Sequence, residues 1–177
     1  MTEIRALVDD AINVLCTRFE HGGYNPTPII DLGVLVARAD GKVDASEKQA
    51  LRDVFEALLD ERLSGAVVGH LIAASLEVIE LAGALPRARL VAEILKDCDA
   101  VEQGIVVALG IAYASEGLSK DERAVIQTIA DAAGLSSAKV DALAAQVKAK
   151  LPNDGDGGPV SARVSLHGPA AKKSTTP

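Results

Sequence analysis

The stretch that decides the fold is ARADGKVDASEKQALRDVFEALL, Ala37 to Leu59. An acidic turn, Asp40-Gly41, separates an apolar run that begins near Pro28 from a second run carrying Leu51, Val54, Phe55, Leu58 and Leu59 at helical spacing. The same arrangement returns in AYASEGLSKDERAVIQTIADAAGL, Ala112 to Leu135. With one residue dropped after the glycine, Asp40 aligns with Glu116, Gly41 with Gly117, Val43 with Leu118, Asp44 with Ser119 and Glu47 with Glu122. The unit is helix–acidic turn–helix, used twice with a long middle section between the copies.

The rest of the chain reads as helix. Ile4, Leu7, Val8, Ala11, Ile12, Leu15 and Phe19 recur on one helical face, which HGGYNPTP ends. Further helices are expected from about Pro28 to Ala39, from Asp44, from Leu63 to Ala82 before Gly83, and from Pro86 to Asp97. Asp99-x-x-Glu102 reads as a capping box opening the next helix. The last two helices run from Ser119 to Gly134 and from Ser136 to Lys150. Nothing alternates with the period of a strand. The chain is 49% apolar with only 2% aromatics and no Trp, so the core is built from Ala, Leu, Val and Ile, which suit closely packed helices. The expected fold is all-α: a compact bundle of seven to eight helices over residues 1–150. Residues 151–177, rich in Gly, Pro, Ser and Thr, are expected to form a disordered tail.

Composition narrows the function classes. A net charge of −7 and a pI near 4.9 repel phosphate backbones, which argues against nucleic acid. Cys16 and Cys98 fall within apolar helical patterns without a CxxC or Cys/His cluster, so they read as core residues rather than zinc ligands. The N-terminus lacks a signal-peptide core, and the apolar run IVVALGIAYA is too short to span a bilayer. The expected location is the cytoplasm. His21, in a Gly-rich loop, His70, read as a satisfied or half-buried helix residue, and His167, in the tail, form no metal-binding motif. With no P-loop, dinucleotide fingerprint or nucleophile elbow either, no enzymatic activity is expected.

The acidic turns allow two readings. Asp44-x-x-Glu47 and Ser119-x-x-Glu122 are capping boxes that suffice to start helices, each cap being worth about 1 kcal/mol. Capping alone does not account for Asp40 and Glu116. With Asp40 at the fifth position of an EF-hand loop, Gly41 falls at the sixth, Val43 at the apolar eighth, Asp44 at the ninth and Glu47 at the twelfth. The first half of such a loop fails, since Val36 and Arg38 stand where carboxylates belong. A site would therefore pool ligands: Asp40, Asp44 and Glu47 from the first turn, with Glu116 and Glu122, and Asp121 beside them, from the second. Oxygen ligands of this kind select Ca²⁺ or Mg²⁺ over Zn²⁺. The pooled site requires the two turns to meet in space.

At these residues the chain resembles the tellurite-resistance TerB-like family, whose pattern is an apolar helix followed by Ala-x-x-Asp-Gly-x-(apolar)-x-x-x-Glu, given twice. Here the copies are ARADGKVDASE and AYASEGLSKDE, the second with Glu116 for the Asp and a turn one residue shorter. The resemblance covers about residues 1–150. It implies a helical bundle with an acidic, divalent-cation-binding surface and a role in tellurite or chemical stress. It also implies a protein partner associated with a membrane, which would place the chain in the cytoplasm or peripherally at the inner membrane. It implies no catalytic activity. The alternative is a metal-free helical interaction adaptor whose acids only cap helices.

Overall fold

The computed structural model describes residues 3–41, 43, 45–59, 63–114 and 117–151. Among them are eight helices and no strand: α1 (Glu3–Gly22), α2 (Thr27–Ala37), α3 (Ala45–Leu59), α4 (Gly65–Ala82), α5 (Ala84–Asp97), α6 (Val101–Ala114), α7 (Lys120–Ala132) and α8 (Ser137–Ala149). The tail expected over 151–177 lies, from residue 152 onward, outside the described residues.

Two helices form the centre. In α2 every residue from Pro28 to Val36 is buried, and in α6 every residue from Gly104 to Ala112. A helix that is apolar all round can satisfy its surface only by being enclosed. These two pack on each other; α1 and α8 cover α6, while α3, α4 and α5 cover α2. Helix α7 touches both central helices and also α5 and α8. The outer helices are amphipathic, such as α1 with Ile4, Val8, Ile12, Leu15 and Phe19 turned inward. The two Phe side chains, Phe19 and Phe55, are fully buried.

The helix ends follow the sequence closely at several points. Ser119 caps α7 in a complete capping box: its Oγ accepts from the Glu122 backbone N–H at 3.1 Å, and Glu122 Oε2 accepts from the Ser119 N–H at 2.8 Å. Ser136 caps α8. The expected cap at Asp99 is a correction. Asp99 has φ +49° and ends α5: its N–H donates to the Lys96 carbonyl, and the Ala100 N–H donates to the Leu95 carbonyl. That double bond pattern is a Schellman closure, with an aspartate in the place glycine usually takes. Asp tolerates this backbone because its short side chain is less crowded there. The Asp99 carboxylate, instead of capping α6, accepts from Arg18 of α1 at 3.1 Å.

Two histidines also differ from expectation. His21 belongs to the last turn of α1, where a cation suits the helix dipole, rather than to a loop. His70 is exposed on α4, not half-buried. Cys16 and Cys98 are both buried, as their surroundings in the sequence imply.

Helix α4 is long and apolar enough to cross a membrane by length and composition, which the sequence reading did not single out. One of its faces, with Val68, Ile72, Leu76 and Ile79, is nevertheless buried in the bundle, and Glu77 and Glu80 lie on its exposed surface.

Candidate ligand face between the repeats

The two repeats are α2–turn–α3 and α6–turn–α7, and their turns occupy equivalent places. Gly41 and Gly117, the aligned turn glycines, both have positive φ, +131° and +102°. Only glycine adopts such a backbone without strain, so the sequence alignment is a conformational equivalence as well. The aligned apolar residues behave alike too: Val43 is buried in the core and Leu118 packs against it.

The repeats meet. A cavity of about 130 Å³ is lined by Ala37 at the end of α2, Ala50, Leu51 and Val54 of α3, Ile111 and Ala114 at the end of α6, and Glu122 in the first turn of α7. All four helices that flank the two turns therefore converge on one space. Its wall is apolar except for Glu122.

The individual candidates stand as follows. Asp40 is exposed at the first turn, where the Gly41 N–H donates to the Arg38 carbonyl at 2.9 Å. The neighbouring Arg38 guanidinium lies 3.8 Å from Glu80 of α4 rather than against Asp40. Glu122 is half-buried; one carboxylate oxygen is held by its capping bond, so it faces the cavity from a fixed position. Asp121 beside it is exposed. Asp44, Glu116 and the side chain of Glu47 lie outside the described residues. Among the described residues, no group of three or more His, Cys, Asp or Glu side chains is close enough to hold a metal ion.

A buried polar cluster under α4 was not singled out by sequence reasoning. Asp31, in the middle of α2, is 3% exposed. Its carboxylate accepts from Ser75 Oγ of α4 at 2.7 Å and from an Arg87 Nη of α5 at 2.6 Å. A buried carboxylate has to be matched in this way or its desolvation would destabilise the fold. The signal was present: Asp31 is the only charge in PIIDLGVLV. Its partners lie 44 and 56 residues away, beyond the reach of spacing rules.

A second polar cluster closes the bundle at the end of α5. The Tyr24 hydroxyl donates to Asp97 at 3.2 Å, and this bond to a carboxylate pushes the phenol pKa up. Burial, helped by the Asp97 charge, likewise pushes the Cys98 thiol up. A thiol so placed is a poor nucleophile.

A family model described as tellurite resistance protein TerB matches residues 27–145, about two thirds of the chain, from the start of α2 into α8. The match includes both repeats and the whole of the cavity between them. No curated protein and no solved structure matches the chain.

Proposed function

The chain belongs to the TerB family, and we propose that it is a non-enzymatic binding module whose ligand face is the junction of the two acidic turns, acting in the response to tellurite or related chemical stress. The ligand is a divalent cation, Ca²⁺ or Mg²⁺, bound through Asp40, Asp44 and Glu47, with Glu116 and Glu122 contributing from the second repeat. The observation that supports this reading is the convergence of α2, α3, α6 and α7, the helices that flank both turns, on one cavity. Two half-sites too sparse to bind alone become a workable oxygen cage when pooled. A protein partner then reads the loaded face, in the cytoplasm or at the inner-membrane surface.

The experiment is calorimetric titration of Ca²⁺ and Mg²⁺ into metal-stripped protein. Saturable binding in the wild type, lost in Asp40→Asn/Glu47→Gln, is the expected result. Absence of heat in both proteins would remove the cation from the proposal.

A second reading has its own support. The Ser119–Glu122 capping box already engages Glu122, and the cavity wall is otherwise apolar. A metal-free adaptor would use that cavity for an apolar side chain of its partner. In that case Leu51→Arg or Ile111→Arg would abolish partner recovery, whereas Asp40→Asn would leave it intact.

A further inference from the structure

The outward face of α4 carries apolar residues with a regular alternation of four and three: Val67, Leu71, Ala74, Val78 and Leu81. This is the spacing of a coiled-coil seam, in which an apolar stripe faces a partner helix along its length. Of the stripe only Leu71 is half-buried against the core; the other four side chains are exposed. Helix α4 packs on α2, α3 and α5 through its other face, with Val68, Ile72, Ser75, Leu76 and Ile79 buried. On the stripe Leu81 is 81% exposed, Val67 42% and Val78 37%, and Ala74 is exposed as well. Leu85, 48% exposed, extends the apolar surface across the α4–α5 corner. Contiguous apolar surface of this kind marks an interaction site.

We propose that this face is covered by α4 of a second copy of the chain, the two helices running antiparallel and crossing at Ala74. Read in that orientation, the stripe matches itself to within one residue. Centred on Ala74, Val67 of one copy lies level with Leu81 of the other, while Leu71, three residues before the crossing, and Val78, four after it, fall within one residue's rise, about 1.5 Å, of each other. The small side chain at the centre lets the helices approach closely at the crossing. The flanking polar residues match as well. His70 and Glu77, both exposed on α4, come within one residue of level with each other twice, once on each side of the two-fold axis. A parallel pair would instead set His70 beside His70 and Glu77 beside Glu77. An isologous contact of this type closes after two copies.

A lipid surface fits the face less well. Helices that lie on membranes carry Lys and Arg around their apolar stripe, whereas α4 has neither and bears two glutamates. The net charge of −7 would add repulsion from anionic headgroups.

The test is the solution mass of the full chain by sedimentation equilibrium, with a cysteine cross-linking experiment to fix the orientation. The expected mass is twice that of the 18.3 kDa chain. Leu81→Glu and Ala74→Glu should each return it to the single-chain value while leaving the helical circular dichroism and urea midpoint near those of the wild type. The native cysteines are buried, so an introduced thiol reports alone. Ala74→Cys should form a disulfide-linked dimer under mild oxidation, because that position meets itself at the crossing, and Val67→Cys should not. A wild-type monomer at high-micromolar concentration would overturn the proposal. So would cross-linking of Val67→Cys as readily as Ala74→Cys, which would mean a parallel pair. Vesicle binding by a monomer, abolished by Leu81→Glu, would assign the face to lipid instead.

Discussion

Gly33 lies in the middle of α2, at the crossing with both α3 and α6, and replacing it by alanine sets two opposing effects against each other. In a helix interior Gly→Ala normally stabilises by about 1 kcal/mol, because the unfolded chain loses freedom and the helix gains a better former. At Gly33 the added methyl would stand 2.8 Å from Phe55 Cε2 and 3.0 Å from Ile111 Cδ1, with Phe55 Cζ nearer still. Carbon atoms pack best about 3.5–4.0 Å apart, so the ring must retreat by roughly 0.7 Å or more. Phe55 is fully buried, one helical turn from buried Leu51 and Leu59, so the ring must shift within a packed core. Overpacking of this severity costs about 3 kcal/mol, the upper part of the usual range. The net expectation for Gly33→Ala is a loss of about 2 kcal/mol, which with a urea m-value of about 2 kcal/mol per molar moves the midpoint down by roughly 1 M. Gly69 on α4 is the control. There the methyl would meet only the Arg52 guanidinium, at 3.6 Å, which is ordinary contact. Gly69→Ala should therefore stabilise, by about 0.5–1 kcal/mol. Urea denaturation followed by circular dichroism reads both. Adding Phe55→Leu to Gly33→Ala should recover part of the loss by giving the methyl room. If Gly33→Ala raised the midpoint as Gly69→Ala does, the close packing of α2, α3 and α6 would be wrong, and the convergence of the repeats with it.

Other perturbations test separate parts of the fold. Asp31→Ala leaves Arg87 facing a buried site without its carboxylate and should cost about 3 kcal/mol, whereas Asp31→Leu with Arg87→Met should come close to wild-type stability in the same urea assay. Ser119→Ala removes the α7 cap and should cost about 1 kcal/mol, with Ser119→Asp recovering most of it; an unchanged melting temperature for Ser119→Ala would refute the capping box. The raised Cys98 thiol favours the protonated form in the folded state, so folded protein holds its proton at pH values where the unfolded chain has lost it. Stability should accordingly fall as pH rises from the ordinary thiol range, near 9, toward the raised value, and Cys98→Ala should remove that part of the alkaline loss. Both cysteines should resist iodoacetamide in the native protein and react fully once it is unfolded in urea.

The repeat was legible in the sequence because its markers are local. A glycine that needs positive φ, an apolar residue two positions or one after it, and a Glu at the third helical position each act within a few residues. Gly41, Gly117, Val43, Leu118 and the Ser119–Glu122 box all take the roles their spacing implies. Asp99 misled because Asp-x-x-Glu has the form of a cap, while the closure of α5 depends on carbonyls of Leu95 and Lys96 that the motif does not include. The Asp31–Ser75–Arg87 cluster and the convergence of α2, α3, α6 and α7 on one cavity depend on contacts between distant helices, which no periodicity encodes. The α4 stripe was hidden for a different reason. The helix is apolar on two faces, so its buried and exposed stripes merge into one hydrophobic run until the bundle separates them.

The most direct test of the ligand face is a thermal melt of the metal-stripped protein with and without millimolar Ca²⁺ or Mg²⁺. A ligand that binds only the folded chain stabilises it by about 2.7 kcal/mol at a hundredfold excess over its Kd, several degrees for a domain of this size. The account predicts an upward shift in the wild type that Asp40→Asn/Glu47→Gln abolishes. Superimposable melts with and without either cation would contradict it and leave the acidic turns as helix starts.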